Sequence, residues 1–134
     1  MVISSLKLLQ LVLYLFMDDH KNTGTMGEKL AGDYLASHGY SILHMNWRYA
    51  NWEIDIIANK SNIIHFVEVK TRRTNTYGYP EDDVSKKKLK NLVNAAEEFL
   101  YQFPRWKMIQ FDIISVTINY GSDPEILLIE DVYL

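Results

Sequence analysis

The sequence predicts an α/β fold of the α+β type, one mixed sheet with helices packed on it, in the order α-β-β-β-α-β-β. Three observations predict it. Two segments repeat their apolar residues at helical spacing, five others are apolar runs of strand length, and the breaks between the first three runs are short and polar like hairpin turns. A sheet of mixed direction with helices against it follows from that order.

The first helix is expected to open at TMGE, with Thr25 as N-cap and Glu28 three residues later in capping-box spacing, and to run to His38 before Gly39. Its apolar stripe is Leu30, Ala31, Tyr34 and Leu35. Three strands follow, YSILHMNWRY (40–49), WEIDIIAN (52–59) and NIIHFVEVKTR (62–72), and they make an antiparallel meander. RRTNTYGYPEDD, with Gly78 and Pro80, reads as a loop able to cover whatever the strands build. A second helix is expected over 82–103, with Val84, Lys88, Leu92, Ala95 and Phe99 on one stripe and Pro104 closing it. WKMIQFDIISVTI and PEILLIEDVYL, separated by the turn YGSD, are the last two strands.

With 134 residues, 48% of them hydrophobic, residues 18–134 suit a single domain with one core of ordinary size. The first 17 residues, MVISSLKLLQLVLYLFM, read as an apolar N-terminal extension outside that fold, either a stretch upstream of an internal start at Met17 or Met26, a membrane-surface helix or a docking helix. Lys7 and Gln10 interrupt it below the ~20 apolar residues of a spanning helix, and no small-residue cleavage site follows. No membrane partner is expected unless this segment is a real anchor. The absence of cysteine excludes disulfides, thiolate metal sites and a cysteine nucleophile, and it fits a cytoplasmic location. A formal net charge of −3 is unlike a nucleic-acid binder, but between positions 70 and 90 Lys70, Arg72, Arg73, Lys86, Lys87, Lys88 and Lys90 face only Glu81, Asp82 and Asp83. Local field, not net charge, steers a polyanion.

Glu53, Asp55, Glu68 and Lys70 lie inside predicted strands, where unpaired charge is costly. Alternation puts Glu68 and Lys70 on one face of their strand, and Glu53 and Asp55 likewise on theirs. A hairpin near 59–62 then brings Asp55 toward Glu68. Two carboxylates at that range repel unless a cation lies between them, and such oxygen ligands suit Mg²⁺ or Mn²⁺. A solvated Glu and Lys two residues apart is the plain alternative; against it, Ile64 and Phe66 share their face while Val67 and Val69 take the other. Glu28 lies over Ala31 and Leu35 on the helix stripe, where it serves either as a cap or at the metal. Lys88 interrupts the second stripe and is expected to reach a phosphate or the site, while most of the lysine cluster around it is expected to be solvated. His20, His38, His44 and His65 form no ligand spacing and read as structural or exposed. Trp47, Tyr49, Trp52, Tyr77 and Tyr79 read as core or rim residues more readily than as base-stacking platforms.

Asp55 followed by Glu68-Val69-Lys70 resembles the PD-(D/E)xK nuclease signature. More narrowly, GEKLAGDYLASHGYSILHMNWRY, EIDIIA, FVEVKTR, YGYPEDDV and FDIISV resemble, in order and spacing, the YraN family of small predicted endonucleases, related to archaeal Holliday-junction resolvases. The likeness spans about residues 20–134. It implies a restriction-endonuclease-like core, with Asp55, Glu68 and the Val69 carbonyl as metal ligands, Lys70 as catalytic lysine and Glu28 as the helix-borne acid. Glu53 matches a usually acidic position and is an accessory candidate. Two positions depart from the family pattern: Trp52 stands where a small residue commonly precedes EID, which would narrow access, and Gln110 replaces an arginine often found before FD, which would remove a phosphate or structural contact.

The expected function is therefore a divalent-metal-dependent endonuclease on DNA, acting on branched or recombination intermediates. Arg72, Arg73, Lys86 and Lys88 are expected on phosphates. Related resolvases work as dimers because two strands are cut across a junction, which makes a homodimer the implied assembly. The alternative is a non-catalytic nucleic-acid-binding adaptor on the same fold.

Overall fold

The computed structural model describes residues 20–73, 86–119 and 121–132. In chain order the elements are α1 (His20–Ser37), β1 (Ser41–Tyr49), β2 (Trp52–Lys60), β3 (Ile63–Arg73), α2 (Lys86–Gln102), β4 (Met108–Ile118) and β5 (Glu125–Ile129). This is the predicted order. The apolar segment 1–17 and most of the predicted loop, with Tyr77, Tyr79 and Val84, lie outside the described residues.

One correction concerns the start of α1. The chain is already helical at His20, so Thr25 is an interior residue and not an N-cap. A capping box is a local preference of about 1 kcal/mol, and adding residues to an existing helix is easier than starting one. The turn signals in KNTGT are overridden accordingly. The other end is as expected. Gly39, at φ +88°, takes the left-handed position, Tyr40 N–H donates to the Leu35 carbonyl at 3.1 Å and Gly39 N–H to that of Ala36 at 3.4 Å. These are the two bonds of a Schellman motif, and Leu35 and Tyr40 supply its apolar contact in one core.

The five strands form one sheet in the order β1-β2-β3-β4-β5, antiparallel except for the parallel β3–β4 pair that α2 connects. Ser61 and Asn62, at φ +54° and +63°, join β2 to β3, as a two-residue type I′ turn requires. The last strand ends at Ile129, shorter than predicted: the Asp131 N–H and Val132 N–H turn back onto Asp112 and the Phe111 carbonyl.

Each helix covers one face. Met26, Leu30, Ala31 and Leu35 of α1 pack on Ile56, Ala58, Val67, Val69, Ile114 and Val116. Leu92, Ala95, Ala96 and Phe99 of α2 pack on Ile54, Ile57, Ile64 and Phe66. Central β3, covered on both sides, is buried from Ile64 to Val69, as befits a strand with a parallel neighbour. Its Val67 and Val69 serve the α1 side, its Ile64 and Phe66 the α2 side, as alternation predicts.

Candidate functional site

The alternation of β2 slips at Asp55. Ile54 and Ile57 feed the α2 core and Ile56 and Ala58 the α1 core, which strict alternation forbids. The ladders break at the same place. Pairing of β2 with β3 ends at Ile56–Val67, and on the other side Met45–Ile56 and Trp47–Ile54 are paired while Asn46 and Asp55 between them are not. In place of a main-chain partner, Asp55 Oδ2 accepts the Val69 N–H at 2.8 Å.

Into this fork come acids from two elements. Carboxylate oxygens of Glu28, from α1, and of Glu53 and Asp55, from β2, all lie within 4.8 Å of one another. Mg²⁺ and Mn²⁺ take oxygen ligands of this kind, so these three carboxylates would hold such a cation between them. Burial raises the Asp55 pKa from an ordinary 3.8 to about 8; the Glu68 charge adds to this, the Val69 hydrogen bond opposes it, and Glu28 and Glu53 push it further up. Glu28 is also raised, by burial first, against a hydrogen bond from the Asn46 side chain and the field of Arg48. Arg48 sits 3.4 Å from Glu53 at the rim. Carboxylates held in such proximity, with one driven toward its neutral form, make a donor set that a divalent cation would relieve.

Glu68 is handled differently. Its side chain is nearly buried on the α2 face, and Lys88 Nζ, from the first turns of α2, lies 2.9 Å from Glu68 Oε1. Burial works against the Lys88 charge, but the hydrogen bond to Glu68 and the fields of Glu68, Asp55 and Glu53 outweigh it and raise its pKa. Lys88 thus reaches from the α2 stripe to the nearly buried acid of β3. Lys70 is half-buried on the same face of β3 as Glu68, one pleat further along. Arg73 Nη2 donates to Thr23 Oγ1 at 3.4 Å and so ties the end of β3 to α1. Arg72 is half-buried and Lys86 exposed at the start of α2.

The remaining candidates fall into structural roles. His65 lies on the face opposite Glu68, with Nδ1 2.7 Å from Asp112 Oδ2, and this buried Asp112 also accepts from Gln110 Nε2 at 2.9 Å and from the Asp131 N–H at 3.0 Å. Gln110 is therefore a structural donor. His44 packs on Phe99 and Phe103, and His38 stacks on Tyr34. Trp47 and Trp52 pack against the α2 core, while Tyr49 is exposed beside Trp52. Sequence reasoning missed Asn46 and Asp112. An acid in the apolar run FDIISV was a signal for the second; nothing local marks the first.

Comparison with known proteins agrees with the motifs. Residues 27–116 match the family described as "Uncharacterised protein family UPF0102". A UPF0102 protein of Bacteroides thetaiotaomicron is 42% identical over 106 residues, covering 79% of this chain and 88% of its own length. Another, from Flavobacterium psychrophilum, is 44% identical over 100 residues, covering 75% and 84%. Among solved structures, the Holliday junction resolvase Hjc of Archaeoglobus fulgidus aligns with 78% of this chain and 75% of its own at 16% identity, with a TM-score of 0.45. On the family match and the identity of these relatives, the chain belongs to the UPF0102 (YraN) family.

Proposed function

We propose that this protein is a metal-dependent nuclease that hydrolyses DNA phosphodiester bonds, with its site at the fork between β2 and β3. The observation that carries the reading is the convergence of Glu28, Glu53 and Asp55 within 4.8 Å beside a nearly buried Glu68. Asp55 and Glu28, with Glu53, Glu68 and the Val69 carbonyl as further oxygen donors, would hold Mg²⁺ or Mn²⁺. When bound, such a cation supplies a Lewis acid at the phosphoryl oxygen.

The chain's own groups do the rest. Asp55, braced by the Val69 N–H, presents one oxygen to the fork. Lys70 orients the attacking water or stabilises the negative charge that builds on the phosphoryl group. Water oxygen bonds to phosphorus, the bond to one sugar oxygen breaks, and that oxygen leaves with a proton. Arg72, Arg73, Lys86 and Lys88 hold the flanking backbone. The family motifs EIDIIA and FVEVKTR support the same assignment.

A second reading, a nucleic-acid-binding adaptor, is favoured by the Lys88–Glu68 ion pair, which satisfies one acid with an internal cation. Calorimetry with Mn²⁺ on wild type and Asp55→Asn, joined to a cleavage screen of labelled duplex, flap and four-way-junction DNA, separates the two. We expect metal binding in wild type that Asp55→Asn abolishes, metal-dependent cleavage, and loss of cleavage with retained DNA binding in Lys70→Ala. DNA binding without metal binding or cleavage would leave the adaptor.

A further inference from the structure

We infer that Asn46 is a positioning residue of the proposed metal site: its amide, aimed by a left-handed backbone in the middle of β1, holds the Glu28 carboxylate of α1 against the acids of β2. The inference rests on the reading of that site as a metal centre. Asn46 stands at φ +54° inside a strand. That conformation costs an ordinary residue of order 1 kcal/mol or more, and Asn, Asp and Gly pay least. A strand position chosen for sheet pairing alone would carry neither the strain nor an asparagine.

The strain coincides with a function for the side chain. By register Asn46 falls opposite Asp55, at the unpaired step between Met45–Ile56 and Trp47–Ile54. Its side chain hydrogen-bonds Glu28, and a carboxylate can only accept, so the amide N–H donates. Both residues line one groove of about 410 Å³ between α1 and β1, together with Thr25, Lys29, Gly32 and Met45. Glu28 therefore reaches the site across an open groove, on a long side chain borne by another element. The other charged groups that act on it are Glu53, Glu68 and Arg48, and Arg48 is already paired with Glu53.

Asn46→Gly tests this, because glycine accepts the left-handed backbone and removes the side chain with its amide. We expect its Kd for Mn²⁺ to weaken about 10- to 100-fold, as for other residues that orient a ligand, and kcat to fall with KM for DNA unchanged. In a Glu28→Gln background the same glycine change should add little to the loss of Mn²⁺ affinity, since both act through one carboxylate. Wild-type Mn²⁺ affinity in Asn46→Gly, or additive losses in the double variant, would each overturn the inference. Absence of Mn²⁺ binding in wild type would instead overturn the metal-site reading and this inference with it.

Discussion

At the scale of the residue, Asp55 is an acid that its surroundings hold well above the ordinary carboxylate range. In the metal-free fold burial and the neighbouring acids raise its pKa to about 8. From about pH 4 to about pH 8 the folded chain thus holds a proton that the unfolded chain, with an Asp pKa of about 3.9, has released. Stability must fall as pH rises through that window. Melting in EDTA should show wild-type Tm declining from about pH 5 to about pH 8, and Asp55→Asn should flatten this slope and gain most at pH 8. An unchanged slope in the variant would show that Asp55 is ionised throughout. Bound metal would reverse the trend, because the proton has to leave: at one fixed Mn²⁺ concentration the stabilisation, about 2.7 kcal/mol where that concentration is 100 times Kd, should be larger at pH 8 than at pH 6.

At the scale of the element, α1 places Glu28 by packing very closely on β3. A methyl group on Gly27 would overlap Thr71 Oγ1 and crowd its Cβ and Cγ2, none of which is the end of a flexible chain. Gly24, one turn earlier in the same helix, has nothing within 4 Å. Helix propensity favours Ala over Gly by about 1 kcal/mol at either site, whereas overpacking costs about 1–3 kcal/mol. Denaturant unfolding should therefore find Gly24→Ala neutral to stabilising and Gly27→Ala destabilising by up to about 2 kcal/mol. The Gly27 variant should also lose Mn²⁺ affinity, because the displaced helix carries Glu28. Equal effects at the two glycines would refute the close approach.

At the scale of the whole molecule, the two helices sit on opposite faces and the fork lies where both reach the sheet, Glu28 from one side and Lys88 from the other. The basic residues follow the same plan. Arg72 and Arg73 end β3, Lys86 and Lys88 open α2, and all four border the site end of the sheet. If each contacts one phosphate, the plot of log K against log salt should have a slope of about −3 to −4 for duplex DNA, and Lys86→Ala should flatten it by about 0.9. A salt-independent affinity would place the nucleic acid elsewhere. Among the described residues no helix is long and apolar enough to cross a membrane.

The sequence by itself determined the element order, the meander and the parity of β3, because apolar periodicity reports which face is buried without any knowledge of the partner. Glu68 and Lys88, which the fold brings together, were legible for the same reason: each interrupts an apolar face. Pairing of Asp55 with the Val69 N–H, the hold of Lys88 on Glu68 and the strained Asn46 under Glu28 were decided only by the tertiary structure. They depend on register, on a slip in alternation and on the approach of a helix residue far away in sequence, none of which leaves a mark in local composition. The early start of α1 belongs with them, since a capping signal is a local preference that the rest of the chain can outvote. What the chain encodes locally is where charge violates the pattern; what the fold adds is which of those charges meet.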